Sequence, residues 1–171
     1  MSMTNQLKQQ YTLRISQANS TEMVVIIYEI LLEYVTEANN CAISGDFPGV
    51  KEVCKKITTC LGCLLDSLDL SYEPALQLSS LYLYCVRVSA RTQLFATLAR
   101  TGQDFTQIVT LLSQIEKVIV PLKDAYAAIA PQNTKGPVMN NSQTVYAGLT
   151  YGKNSLTENM TDQGANRGML V

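Results

Sequence analysis

The sequence contains no histidine and has few charged residues. Histidine is the commonest general base near neutral pH and the commonest metal ligand, so its absence argues against most enzymes and most zinc sites. Charged residues make up 16% of the chain, compared with about 25% in an ordinary globular protein. A helical protein with so few charges leaves apolar or weakly polar surface in contact with water, and such surface often binds a partner.

Long apolar runs and a strong net charge are also missing. Runs such as 23–27 and 118–122 are much shorter than the stretch of about 20 residues that a membrane-spanning helix needs. The first ten residues are polar and lack the apolar centre of a signal peptide. A net charge of −1 gives no attraction to nucleic acid or to an anionic membrane. We therefore expect a cytoplasmic protein that neither binds nucleic acid nor inserts into a membrane.

The chain has an odd number of cysteines, all within segments of helical pattern. Cys60 and Cys63 form a C-x-x-C pair, but this pair lies in an apolar stripe and has no second pair or histidine beside it. We therefore expect reduced cysteines that pack in the core and hold neither a disulfide nor a metal. The five residues are Cys41, Cys54, Cys60, Cys63 and Cys85.

Motifs for catalysis and for cofactor binding are absent from the sequence. Glu-x-x-His pairs for an iron site cannot occur without histidine, and the glycines lack the lysine and strand of a phosphate loop. Glu29, Glu33 and Glu37 share one face of a predicted helix, and a solvated surface is the usual role of such a row. We expect no catalytic residue, no cofactor and no metal, and hence a protein that is not an enzyme.

Capping residues define the first two of four predicted helices. Asn19 and Glu22 form a capping-box pattern, which marks the start of the first helix. Gly45 supplies the left-handed residue that ends this helix. Asp46 then caps the second helix, which accommodates Pro48 in its first turn.

Two further helices follow after a break at residues 69–74. Gly102 is predicted to end the third helix, and Asp104 to cap the fourth. Pro121 lies inside the fourth helix, where the loss of a backbone donor predicts a kink or an interruption. The third helix carries its apolar pattern on Leu78, Leu81, Tyr82, Cys85, Val88, Leu94, Phe95 and Leu98.

The predicted fold is all-α, an antiparallel up-down four-helix bundle with a polar and largely irregular C-terminal tail. Two of the three connections are short, so consecutive helices are expected to be antiparallel neighbours. We expect a bundle domain over residues 1–130, which includes an N-terminal segment, 1–18. The tail, 131–171, is rich in Asn, Gly, Thr and Ser and is predicted to be flexible. Within it, 144–151 has the β-branched and aromatic residues of a segment that docks in extended form.

Three segments on the predicted helices resemble the FliS family of flagellar export chaperones. Residues 16–29, SQANSTEMVVIIYE, are similar to the family's opening, a small-residue turn followed by Glu-Leu and a hydrophobic run ending in Leu-Tyr-Asp, although Ser20 stands at the usual proline. Residues 81–87, LYLYCVR, resemble Leu-Tyr-Asp-Tyr-Met-x-Arg, with Leu83 in place of the acidic residue. Residues 123–126, KDAY, resemble Arg-Asp-Ala-Trp.

The resemblance implies a cytosolic chaperone that binds the C-terminal segment of flagellin, prevents premature polymerisation and assists delivery to the flagellar export apparatus. The alternative is a structural or sensory four-helix module that binds proteins without a chaperone role. Both a monomer and a homodimer are compatible with the sequence. The residues implied in partner binding are Tyr11, Ile15, Ala18, Tyr28, Tyr82, Tyr84 and Arg87.

Tyrosines at these positions also occur as ordinary core residues. Tyr82 and Tyr84 are two residues apart on a helix and point in different directions, so at least one is expected to leave the core centre. At the N-terminus, Tyr11, Leu13 and Ile15 alternate with polar residues, which predicts an extended segment pressed on the bundle. The resemblance implies that this segment covers part of the flagellin site.

Overall fold

The structure, a computed structural model, describes residues 5–99 and 104–138 of the chain. The chain divides into a compact unit, Met1–Asn140, and a second unit, Asn141–Val171, which lies outside the described residues. The described residues contain no strand, and the all-α class is confirmed. The helices are α1 (Asn5–Gln17), α2 (Ser20–Ile43), α3 (Phe47–Asp66), α4 (Glu73–Leu98), α5 (Asp104–Ile129) and a short 3-10 helix (Ala130–Gln132).

Helices α2 to α5 surround one hydrophobic core. Helix α2 packs against α3 and α5, and α4 packs against the same two helices from the other side. Each fully buried large side chain stabilises the fold by roughly 1.5–3 kcal/mol relative to an exposed one. Fully buried aliphatic side chains come from three of these helices and include Leu31, Ile57, Leu61, Ile108, Leu112, Ile115 and Ile119.

The predicted helix boundaries around α2 and α3 are confirmed by hydrogen bonds. The Asn19 side chain accepts from the backbone N–H of Glu22 at 2.9 Å, and the Glu22 carboxylate accepts from the N–H of Asn19 at 2.9 Å. Gly45 has a φ of 74°, which is costly for residues with a Cβ. The Asp46 carboxylate accepts from the N–H of Gly49 at 2.9 Å. These bonds satisfy helix N–H groups that otherwise have no partner.

Helix α5 continues through Pro121. Of the predicted kink or interruption, the interruption does not occur, and the kink stays a prediction. Pro121 is exposed, and the carbonyl that loses its helical partner can therefore be hydrated. Packing of the opposite face, including Ile115 and Ile119, stabilises the helix on both sides of the proline. The predicted helix end at Gly102 lies outside the described residues.

Helix α5 also has the length and composition of a membrane span. The segment Phe105–Gln132 contains an 18-residue window with a mean hydropathy of 1.2, and it is the one such segment in the described chain. Core helices of bundles have the same composition, and Ile108 and Leu112 place α5 in this core. We therefore interpret α5 as a bundle helix.

Residues 5–17 of the N-terminal segment form a helix, so the predicted extended form was wrong, although Tyr11 and Ile15 do pack on the bundle. Leu7, Tyr11 and Ile15 are separated by four residues and pack together on one side of α1, whereas Leu13 is not part of this cluster. An isolated helix of 13 residues is marginally stable in water. Packing of this apolar side against α2 therefore holds α1 in its helical form.

Residues 131–138, which we call the C-terminal strap, belong to the region predicted as flexible tail. They are mostly exposed, but they hydrogen-bond to the α1–α2 turn, where Val138 donates a backbone hydrogen bond to the carbonyl of Ala18 at 3.1 Å. The tail from residue 139, including 144–151, lies outside the described residues. The predicted domain limit at 130 stays a prediction. Residues beyond this limit, Asn133 and Val138, still form hydrogen bonds to the α1–α2 turn.

Three residues assigned to the core side of α4 face water instead. Leu81, Leu94 and Leu98 are all exposed. Tyr82, Cys85 and Val88 are buried, as the apolar pattern predicted. The rest of the core side of α4 consists of small or polar residues that the apolar pattern did not indicate, which are Ala75, Ser89, Thr92 and Ala96.

Candidate partner-binding site

The turn between α1 and α2 holds a small hydrophobic cluster that is separate from the main core. Tyr11, Ala18 and Ile26 are buried in it, and Ile15 packs against them. Because Tyr11 and Ile15 lie on α1 itself, this cluster exists as long as α1 stays docked on α2.

An ion pair crosses from α1 to α2 beside this cluster. The Arg14 guanidinium donates to both carboxylate oxygens of Glu29, at 2.5 and 3.1 Å. It also lies over the ring of Tyr11, 5.7 Å from its centroid. Burial raises the pKa of Tyr11, with a further contribution from Glu29, while the hydrogen bond to Glu29 raises the pKa of Arg14. A partly exposed pair of this kind contributes about 0–1 kcal/mol, so it adds little to the docking of α1.

Two cavities open at the same turn. One of about 300 Å³ is lined by residues that include Arg14, Glu22 and Ile26. The other, of about 210 Å³, lies between Arg14, Glu22 and the end of α5 at Ala127 and Ala130. Helix α1 therefore leaves unfilled space beside α2, which side chains of a partner can enter.

The C-terminal strap holds this turn from the outside. The Asn133 side-chain amide donates to the hydroxyls of Ser20 at 3.1 Å and Thr21 at 2.9 Å. The side-chain amide of Asn19 donates to the backbone carbonyl of Asn133 at 3.2 Å. Sequence patterns gave no signal for these contacts, because they join residues more than 100 positions apart.

Three tyrosines meet inside the bundle. The hydroxyls of Tyr28 and Tyr82 hydrogen-bond with each other, and the ring of Tyr126 lies edge-on to Tyr28 at 5.7 Å. Burial raises the pKa of Tyr82 to about 12 and also raises the pKa of Tyr28. Tyr28 is 0% and Tyr82 1% exposed. Their assignment to the partner surface is therefore corrected, since neither side chain reaches a partner.

The solvent side of α4 carries an apolar row, which we call the α4 stripe. Its members on the helix are separated by seven, eleven and four residues, which brings them to the same side. All of them are exposed by about half or more, including the tyrosine that directly precedes the helix. The α4 stripe consists of Tyr72, Leu76, Leu83, Leu94 and Leu98. No described residue covers this row, and an exposed apolar row of this length is typical of a protein-binding surface.

The family is decided by comparison with known proteins. The family model described as flagellar protein FliS matches residues 3–133, which include all five α-helices. The chain belongs to the FliS family. Members of this family are flagellar export chaperones, in agreement with the resemblance of the three sequence segments. No individual curated protein matches the chain.

Two of the predicted site residues lie on the α4 side of this FliS protein. Arg87 is exposed and lies within the α4 stripe, four residues after Leu83 and seven before Leu94. Tyr84 is 39% exposed and donates its hydroxyl to the side-chain oxygen of Gln114 on α5 at 3.0 Å. As expected for Tyr82 and Tyr84, one of the two lies outside the core: Tyr84 is exposed, whereas Tyr82 is buried. The predicted site residues other than Tyr28 and Tyr82 lie in two places. Tyr84 and Arg87 are on the exposed surface of α4, and Tyr11, Ile15 and Ala18 are at the α1–α2 turn, where Tyr11 and Ala18 are buried.

The cysteines of this FliS protein do not form a cluster. All five are free thiols, and the described residues contain no group of three or more His, Cys, Asp or Glu placed to hold a metal. Burial raises the pKa of Cys54, Cys60 and Cys85 to about 11. Cys63 is exposed, so its assignment to the core was wrong. Its position on the outer side of α3 separates it from the apolar pattern of Leu61 and Leu64.

Proposed function

We propose that this protein is a cytoplasmic export chaperone that binds the C-terminal segment of flagellin, prevents its polymerisation and delivers it to the export apparatus without catalysis. The observation that supports this most is the exposed α4 stripe. In the same proposal, the ring of helices α2 to α5 is an antiparallel up-down four-helix bundle.

The α4 stripe has the length and the apolar character of a binding surface for an amphipathic helix. Amphipathic helices anchor in such surfaces with residues at i, i+3, i+4 and i+7. The distance from Leu76 to Leu98 corresponds to about 33 Å of helix. Burial of a large apolar side chain is worth about 1.5–3 kcal/mol. The five members of the stripe are about half to two-thirds exposed, so each contributes part of this range toward the cost of ordering a flexible segment.

The direct test is a calorimetric titration of the full chain with the C-terminal segment of flagellin from the same organism. We expect saturable binding with a negative heat-capacity change, because apolar surface is buried. A peptide of the same composition in scrambled order serves as the control. Absence of binding both to the segment and to intact monomeric flagellin at tens of micromolar would refute the proposed function.

We further propose that α1 covers part of the flagellin site in the free protein. Deletion of residues 1–17 removes Tyr11 and Ile15 from Ile26 and uncovers the apolar surface around it. If the site is open for about a tenth of the time, the deletion should tighten flagellin binding by about tenfold and make the free protein more prone to aggregation. Titration and light scattering measure the two effects.

A separate deletion tests the tail as a cover. It should begin at residue 139, because removal of Asn133 would also break the strap at the α1–α2 turn. If both truncated chains bind flagellin with unchanged or lower affinity and stay equally soluble, neither end covers the site.

A further inference from the structure

Helix α4 begins with an exposed acidic residue, Glu73, and carries only positive charge after it. Between Pro74 and Leu98 the two charged residues are Arg87 and Arg91, both exposed. They are four residues apart and thus adjacent on the helix surface. Among the described residues, no carboxylate lies within ion-pair distance of either guanidinium; the four ion pairs involve Arg14, Lys55, Lys56 and Lys123.

Arg87 lies at the midpoint of the stripe, with Leu76 eleven residues before it and Leu98 eleven residues after it. This position argues against a second copy of the chain as the occupant. In a two-fold pair that matches the stripes along their whole length, parallel or antiparallel, Arg87 faces Arg87 of the other copy. Two like charges facing each other in an apolar interface are strongly unfavourable.

We propose that the α4 stripe selects an amphipathic helix that carries a carboxylate in the middle of its apolar row, opposite Arg87. A bound helix buries the guanidinium, which then needs a charged partner. An arginine fork and a carboxylate form two parallel hydrogen bonds, which also fix the register of the bound helix along α4. The inference rests on the proposed function only in assigning this helix to the exported subunit.

Three designed peptides test the inference independently of flagellin. Each is an amphipathic helix of about 22 residues with a leucine row, and they differ at the central position of that row, which is Glu, Gln or Lys. Fluorescence anisotropy with the full-length protein at low salt should show the Glu peptide binding about tenfold more tightly than the Gln peptide, and the Lys peptide binding most weakly. The difference between Glu and Gln should shrink as salt is added.

Protein variants complete the test. Arg87→Glu should reverse the order, so that the Lys peptide binds best, and Arg87→Lys should keep a reduced preference for Glu because lysine lacks the fork. Lys117→Glu, the same charge change on the exposed side of α5, should leave the order unchanged. Thermal unfolding confirms that each variant is folded.

Each other outcome has a defined meaning. Equal affinities for the three peptides, or an order that Arg87→Glu does not change, would overturn the inference. So would binding of the flagellin segment by a protein that binds none of the peptides, although the proposed function would stand. Selective binding of the Glu peptide without binding of flagellin would leave the inference standing and refute the proposed function. A dimer in sedimentation that dissociates on Leu83→Asp substitution would assign the stripe to a second copy and overturn the inference.

Discussion

The double substitution Leu83→Asp and Leu94→Asp is expected to weaken binding of the flagellin segment by about 100-fold or more. Each leucine contributes about 1.5–3 kcal/mol when a partner buries it, and every 1.4 kcal/mol is a factor of about ten in affinity. Both side chains face water in the free protein. The melting temperature should therefore stay close to that of the parent protein, while calorimetric titration shows the loss of affinity.

Ile43 provides a matched control for this substitution. It is 70% exposed, more than any member of the α4 stripe, but lies at the end of α2. Ile43→Asp introduces the same kind of charge on an equally accessible apolar residue and should leave flagellin binding unchanged. Equal losses from Ile43→Asp and from the double variant would mean that general surface hydrophobicity, and not the α4 stripe, is responsible for binding.

Removal of either hydroxyl of the buried Tyr28–Tyr82 pair is expected to lower the free energy of unfolding, and the two losses should not add when both hydroxyls are removed. In Tyr28→Phe, the hydroxyl of Tyr82 stays buried and loses the partner that it has in the structure. An unpaired buried hydroxyl of this kind costs about 1–3 kcal/mol. Tyr82→Phe should destabilise the protein for the same reason. The double variant removes both polar groups, so its destabilisation should be smaller than the sum of the two single values.

Urea unfolding of the parent and the three variants gives the four free energies of this cycle. Tyr72→Phe serves as the control, since an exposed tyrosine should change stability by less than about 0.5 kcal/mol. Additive losses from the two single substitutions would show that the hydroxyls contribute independently, contrary to the bond between them.

The same pair predicts how stability changes at alkaline pH. Burial raises the pKa of Tyr82 to about 12 and raises that of Tyr28 as well, whereas an unfolded tyrosine ionises near pH 10. Above pH 10 the unfolded chain binds fewer protons than the folded chain, so the free energy of unfolding falls as pH rises. The contribution of the two protonated, buried tyrosines to the free energy of unfolding is complete below pH 10 and is lost as pH rises toward their folded-state pKa values. The double variant that combines Tyr28→Phe with Tyr82→Phe should lose less stability than the parent protein between about pH 9 and 11.

Local signals made the long helices and their ends predictable. The capping box at Asn19 and the glycine at position 45 act through neighbouring residues, so the sequence around each is sufficient. Helix α1 was missed because Tyr11 and Ile15 fit both alternation and a spacing of four. Leu7, one further helical turn toward the N-terminus, distinguishes the two patterns, and the structure places it beside Tyr11 and Ile15.

The parts of the site that could not be predicted depend on contacts between distant segments or on rotation of a helix. The strap joins Asn133 to Ser20 and Thr21, and no pattern in either segment indicates its partner. On α4, apolar residues occur on opposite sides, so hydrophobicity alone does not decide that Tyr82 is buried and Leu94 exposed.

The two apolar sides of α4 raise the question of what prevents this helix from turning over in the bundle. In the observed orientation, the buried Ser89 hydroxyl donates to the carbonyl of Cys54 at 3.2 Å. A half-turn about the helix axis would remove this bond, bring Leu83 and Leu94 inward, and carry Arg87 into the core. A buried unpaired guanidinium costs several kcal/mol. Arg87 therefore also has a role in the free protein. Its charge keeps the exposed side of α4 in water and so fixes the rotation of this helix about its axis.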